Sequence, residues 1–182
     1  MHTVREYEAS DEREWLLCRL LSFFDSDYYD DVKVAKTQFS NPSLSLVAET
    51  DGKITGLIDV EINGGAATID SLAVHPSGLR QGIASSLLRH ALGRLPAEVE
   101  TLDAWTRETT SANHWYQAAG FRENYRYLHV YVGEDDPRDD FITPPGLSSL
   151  QGGFLHSALE HEAAMRSAYK RVYTCRQYLM DI

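Results

Sequence analysis

The run VHPSGLRQGIASSLLRHALGRLP, Val74 to Pro96, constrains this chain more than any other stretch. It leaves an apolar strand pattern, crosses a polar turn and enters a segment whose apolar residues form two rows. Ile83, Leu87 and Ala91 stand beside Ala84, Leu88 and Leu92. That spacing predicts an amphipathic helix with one buried face, and Gly93 and Pro96 end it. A strand feeding a helix through a glycine turn gathers unpaired N–H groups and the positive end of the helix dipole in one small volume. Gly82 removes the side chain that would block a diphosphate there, and Arg80 could add a charge-assisted contact. On the glycine pattern alone, a plain strand-to-helix connection reads equally well.

The rest of the chain supplies a sheet for that helix. HTVREYEA reads as an edge strand, and Ser10 then Asp11 offer an N-cap for a helix around DEREWLLCRLLSFF. A second, less regular helical stretch is expected over YYDDVKVAKTQF. LSLVAETDGKITGLIDVEI is two strands joined at Asp51-Gly52, a strong hairpin signal. INGGAATIDSLAV continues through a second glycine turn into a third strand. VETLDAWT is the next strand, SANHWYQAAG a short helix stopped by Gly120, and FRENYRYLHVYV another strand. From Gly133 to Gly153 the chain carries three of its six prolines and a cluster of acids, which predicts a long irregular loop. A helix over FLHSALEHEAAMRSAYK and a last strand, RVYTCRQYLM, follow. The expected architecture is one α/β domain over residues 1–182. Its sheet is mixed, mostly antiparallel and twisted, with flanking helices and a loop-plus-helix insertion (133–169) before the last strand.

Composition narrows the partners. The 182 residues carry 17 Lys plus Arg against 27 Asp plus Glu, a net charge of −10. Nucleic acid is therefore not an expected partner, because phosphate-backbone binding calls for a basic stripe; a cationic amine is compatible. No apolar run approaches membrane-spanning length, so no membrane partner is expected. Cys18 and Cys175 show no metal spacing and read as reduced thiols of a cytoplasmic protein, a disulfide between them being left open. Exposed strand edges would permit a homodimer.

IDSLAVHPSGLRQGIASSLLRHAL, followed by LDAWTRETTSANHWYQAAGF, resembles the GNAT (general N-acetyltransferase) superfamily, whose members bind acetyl-CoA. The first stretch is similar to the family's strand, its (Arg/Gln)-x-x-Gly-x-(Gly/Ala) loop and its helix; the second is similar to its next strand and Tyr-bearing helix. The resemblance covers roughly Ile69 to Phe121. It implies a GNAT-like sheet splayed where acetyl-CoA enters, and acyl transfer from that cosubstrate to a primary amine, a small molecule or a peptide, by direct attack. A non-catalytic acyl-CoA-binding regulatory module is the alternative. By the same resemblance, the backbone of Leu72, Ala73 and Val74 pairs with the pantetheine arm. Leu79, Arg80, Gln81, Gly82, Ile83, Ala84 and Ser85 hold the diphosphate. Leu79 departs from the pattern, which prefers Arg or Gln there, and weaker binding of acetyl-CoA is expected in consequence.

Tyr116 aligns with the tyrosine that sits near the cofactor sulfur in many relatives. A phenol can give the departing thiolate its proton; the other reading of Tyr116 is an aromatic packed on the core. Asn113 could hydrogen-bond the pantetheine arm, although the family's usual Asn falls at Thr109 here. Asp70 is a candidate general base because strand alternation would put it on one face with Thr68, Leu72 and Val74; an ordinary ion pair is the alternative. Glu162 and Arg166 fall within a helical stripe of Leu155, Ala158, Leu159, Met165 and Tyr169. Glu162 is thus a candidate acceptor contact, or half of an i,i+4 ion pair with Arg166. His156 and His161 lie five apart, off one helical face, so no metal site is expected.

Overall fold

A computed structural model describes residues 1–182. Eight strands form one sheet: β1 (Thr3–Glu6), β2 (Ser43–Thr50), β3 (Lys53–Asn63), β4 (Ala66–Val74), β5 (Thr101–Thr106), β6 (Arg122–Val132), β7 (Gly153–Ser157) and β8 (Arg171–Asp181). Their order is β1-β2-β3-β4-β5-β8-β6-β7, antiparallel except for the parallel pair β4–β5. The helices are α1 (Glu12–Phe24), α2 (Ile83–Leu92), α3 (Thr110–Ala118) and α4 (Glu162–Ala168). The β2–β3 hairpin turns at Asp51 and Gly52, both with positive φ (50° and 74°), as a primed two-residue turn requires.

The two faces carry separate cores. Trp15 and Cys18 of α1 pack with Val47, Leu57 and Ala73 on one face. On the other, Ile83, Leu87, Leu88 and Ala91 of α2 join Leu46, Ile58, Val60 and Ile69. Each fully buried Leu or Ile contributes about 1.5–3 kcal/mol. α2 can lie this close to β3 because Gly56 has no side chain: a Cβ there would overlap Ile83 Cγ2. Cys18 and Cys175 are both free and buried. No helix is long and apolar enough to cross a membrane.

Four local expectations are corrected. The Ser10-Asp11 pair does not cap α1 with a side chain: a short 3-10 turn, Ala9–Asp11, intervenes, and the Asp11 carboxylate instead accepts from Glu8 N–H and Arg5. The segment from Tyr28 to Phe39 is irregular rather than helical, because side chains from other elements seize it. Arg19 binds Asp31, Arg171 binds Asp30, and the buried Lys36 ammonium lies 3.0 Å from the buried Asp59 carboxylate. The expected helix over 154–170 begins only at Glu162; Gly153–Ser157 instead extends the sheet beyond β6 as β7. Leu155 therefore belongs to a strand, and the helical stripe drawn through it dissolves, while Leu159, Met165 and Tyr169 still pack on Leu128, Val130 and Val172. Finally, β4 bulges at Asp70, where its register against β3 shifts by one residue. A bulge reverses the alternation beyond it: Ile69, Leu72 and Val74 face α2, and Asp70 leaves the face of Leu72 and Val74.

Candidate functional site

β4 and β5 pair only as far as Ile69 and Ala104. Beyond that pair each strand stays bound on its outer side, β4 to β3 as far as Val74 and β5 to β8 as far as Thr106. The sheet therefore opens a gap between residues 70–74 and Trp105–Thr106. His75 N–H is aimed at Thr55 O on β3, 3.0 Å away. Alternation along the strand turns the N–H and C=O of Leu72 and Val74 the other way, into the gap.

At one end of the gap stands the N-terminus of α2. Gly82 occupies the left-handed region (φ 74°), as does Arg80 (φ 61°), and the chain thereby wraps before the helix starts. The first helical bond is Ser86 N–H to Gly82 O, 2.9 Å. The amides of Gly82, Ile83, Ala84 and Ser85 donate to no protein acceptor. A Cβ on Gly82 would meet nothing within 4 Å, so space is open in front of it. Arg80 makes no ion pair within the protein, and Gln81 bends back to Ser77 O.

Gap and helix end open into one cavity of about 660 Å³. It is lined by Asp70, Leu72, Ala73, Val74, Leu79, Arg80, Gly82, Ile83, Ala84, Ser85 and Tyr116, a grouping of eleven of the fourteen residues singled out in the sequence. Tyr116 stacks on Tyr178 (5.2 Å) and meets Trp115 and Phe121 edge-on, so it is both a core aromatic and part of the cavity wall. Burial pushes its phenol well above the ordinary value, and the nearby Tyr28 adds to that shift. Asp70 takes Lys33 (3.0 Å), Thr37 (3.3 Å) and Ser71 (3.0 Å) all on Oδ2, which leaves Oδ1 without a partner.

Gln81, Asn113 and Glu162 do not line the cavity. Asn113 is spent inside the protein: its amide donates to Arg107 O and Thr109 O, and its Oδ1 accepts from Tyr178. Glu162 accepts from Arg166 at 2.8 Å, the i,i+4 pair, and Arg166 also reaches Glu108 at 2.5 Å. The structure adds residues that periodicity had no means of finding. Arg19, Phe23, Ser26, Tyr28 and Asp31, from α1 and the segment after it, form the wall opposite α2, and Trp105 stands at the gap's β5 lip. No cluster of His, Cys, Asp and Glu able to hold a metal is present.

A mixed sheet opened between two parallel strands, with bare helix amides at one end of the opening, defines an α/β protein with one continuous cavity along that opening. Residues 41–123 match the acetyltransferase (GNAT) domain family. No curated protein sequence matches it. Solved structures share the fold at low identity. The ribosomal-protein-S18-alanine N-acetyltransferase of Escherichia coli superposes with a TM-score of 0.62 at 17% identity, covering 100% of this chain and 94% of that one. NAA60 of Arabidopsis thaliana, in complex with a bisubstrate analogue, gives 0.62 at 13%, covering 100% and 98%. A GNAT family acetyltransferase of Elizabethkingia anophelis with acetyl-CoA bound gives 0.58 at 14%, covering 100% and 98%.

Proposed function

We propose that this protein transfers the acyl group of acetyl-CoA to a primary amine, with both substrates bound together. The observation that carries this reading is the continuity of the β4–β5 gap with the unpaired amides of Gly82 to Ser85. When bound, acetyl-CoA supplies an acyl group activated on sulfur. The amides of Gly82 to Ser85, with the Leu79–Gly82 turn and the Arg80 side chain, hold its diphosphate against the positive end of α2. The gap-facing backbone of Leu72 and Val74, with Ala73 between them, pairs with the pantetheine arm as a short strand would, and Val74 N–H steadies the acyl oxygen as it gains charge.

Tyr116 holds its proton throughout the physiological range and gives it to the departing sulfur. The same burial that raises the phenol also raises the proton affinity of a thiolate beside it. Asp70 Oδ1 is the carboxylate oxygen available to take a proton from the amine. No cysteine and no serine–histidine pair lines the cavity, and this favours direct attack over an acyl-enzyme. Two buried free thiols fit a reducing compartment such as the cytoplasm.

A panel of amines, small molecules and peptides, assayed for release of free CoA thiol, tests the reading. Thiol release that depends on one class of amine supports it. Tight binding of acetyl-CoA with no release for any amine would instead make the protein an acyl-CoA-binding regulatory module.

A further inference from the structure

Between α1 and β2 runs the segment Asp27-Tyr28-Tyr29-Asp30-Asp31, which has no regular structure and is nevertheless held by three arginines distant from one another in sequence. Arg19 of α1 bonds the main-chain oxygen of Asp31 (2.7 Å) and its carboxylate (2.8 Å). Arg171 of β8 grips both carboxylate oxygens of Asp30, at 2.5 and 2.6 Å. Arg107, just beyond β5, bonds Asp27 O and lies over the Tyr28 ring at 4.1 Å. Arg107 is buried, has no carboxylate within ion-pair distance, and is steadied by His129 Nδ1 (3.2 Å), the Tyr131 hydroxyl and the Tyr173 ring. A charge buried without a counter-ion is costly. What this one secures is the placement of Tyr28.

Tyr28 lines the cavity with Thr106 and Tyr116. Its oxygen accepts the main-chain N–H of Arg107 at 3.0 Å. No protein acceptor takes the hydroxyl's own proton. The N–H following β5 is thus converted into an O–H on the β5 lip of the gap, facing the lip that carries the Val74 amide. An oxygen that already accepts a hydrogen bond makes its own proton the better donor.

We infer that Tyr28 is a second donor to the acyl carbonyl oxygen, opposite Val74 N–H, and that Arg107 is the positioning residue that holds it there. This rests on the acyl-transfer reading above. The step is a hydrogen bond from Tyr28 Oη–H to the thioester oxygen, strengthening as charge gathers on that oxygen; no proton is transferred.

The test uses the full chain with acetyl-CoA labelled with carbon-13 at the carbonyl. In the wild type, the infrared carbonyl band of the bound thioester should lie below its position in solution, and in Tyr28→Phe it should move back up. Calorimetric affinity for acetyl-CoA should change less than about threefold, while thiol release with an active amine falls about 10- to 100-fold in kcat. Arg107→Lys keeps the charge and the Tyr28 hydroxyl but loses the fork that grips the strap; it should give a smaller loss in kcat with a smaller upward shift of the band. An unmoved band in Tyr28→Phe overturns the inference, as does a loss confined to the KM of the amine. A melting temperature within a few degrees of the wild type shows that neither variant acts by unfolding. If the wild type binds no acetyl-CoA, the functional reading fails before this one is reached.

Discussion

Ile69 and Ala104 are the last residues joined between β4 and β5, and past them both strands keep their outer partners while losing each other. The Val74 amide beyond this point faces the gap and belongs to no ladder bond. Val74→Pro removes that N–H without cost to the β3–β4 pairing. The chain should fold, and turnover should fall by roughly 100-fold, the scale of one lost oxyanion donor. Thiol-release kinetics beside a circular-dichroism melt check this; full turnover in the variant would exclude Val74 N–H from the reaction.

Gly82 has a positive φ and open space in front of it, so its substitution has two separable effects. Gly82→Ala should lower stability by about 1–2 kcal/mol through left-handed strain alone. It should also weaken coenzyme A binding by more than tenfold, because the methyl enters the space that the proposed reading gives to the diphosphate. Urea titration reads the first effect and calorimetry the second. A variant that loses stability and keeps affinity would show that the ligand does not approach Gly82.

Tyr116→Phe deletes a hydroxyl and preserves the stack on Tyr178. Acid catalysis by the phenol predicts a loss of about 100-fold or more in turnover with acetyl-CoA affinity within about twofold of wild type. Unchanged turnover would leave Tyr116 as a core aromatic.

His129 is buried, and its Nδ1 accepts from Arg107 Nε–H at 3.2 Å. Burial above all, then the Arg107 charge and His156, hold its pKa down to about 4. An unfolded histidine titrates near 6.5. Between those values the unfolded chain binds the proton more readily, so this group withdraws stability as pH falls from about 6.5 toward 4, by at most about 1.4 kcal/mol per pH unit. Urea unfolding of wild type and His129→Asn at about pH 7 and about pH 5 measures the difference. The variant should show the shallower dependence; parallel dependences would place the acid sensitivity elsewhere.

The legible parts of this molecule are those where local pattern and tertiary packing agree. The apolar rows of α2, the Asp51-Gly52 turn and the Gly82 loop each state their geometry within a few residues, and the grouping of Leu72 to Tyr116 followed from motifs tied to those elements. Where distant residues decide, the sequence misleads. Tyr28 to Phe39 has helical spacing, but Arg19, Arg107, Arg171 and the buried Asp59 pull it into an irregular strap. Phe154 and Leu155 open a segment that reads as a helix because nothing local shows that β6 offers them an edge. One extra residue at Asp70 reverses the faces of β4, which no count of alternation can anticipate. Asn113 looked available because its three partners lie four to 65 residues away.

The claim beneath all of this is that the amides from Gly82 to Ser85 are the diphosphate's ligands. Titration of the nitrogen-15-labelled protein with coenzyme A, followed amide by amide in NMR spectra, tests it most directly. The largest displacements should fall on Gly82, Ile83, Ala84 and Ser85, with a second group at Leu72 and Val74. Binding that leaves those six amides in place, or no binding at millimolar coenzyme A, would contradict it.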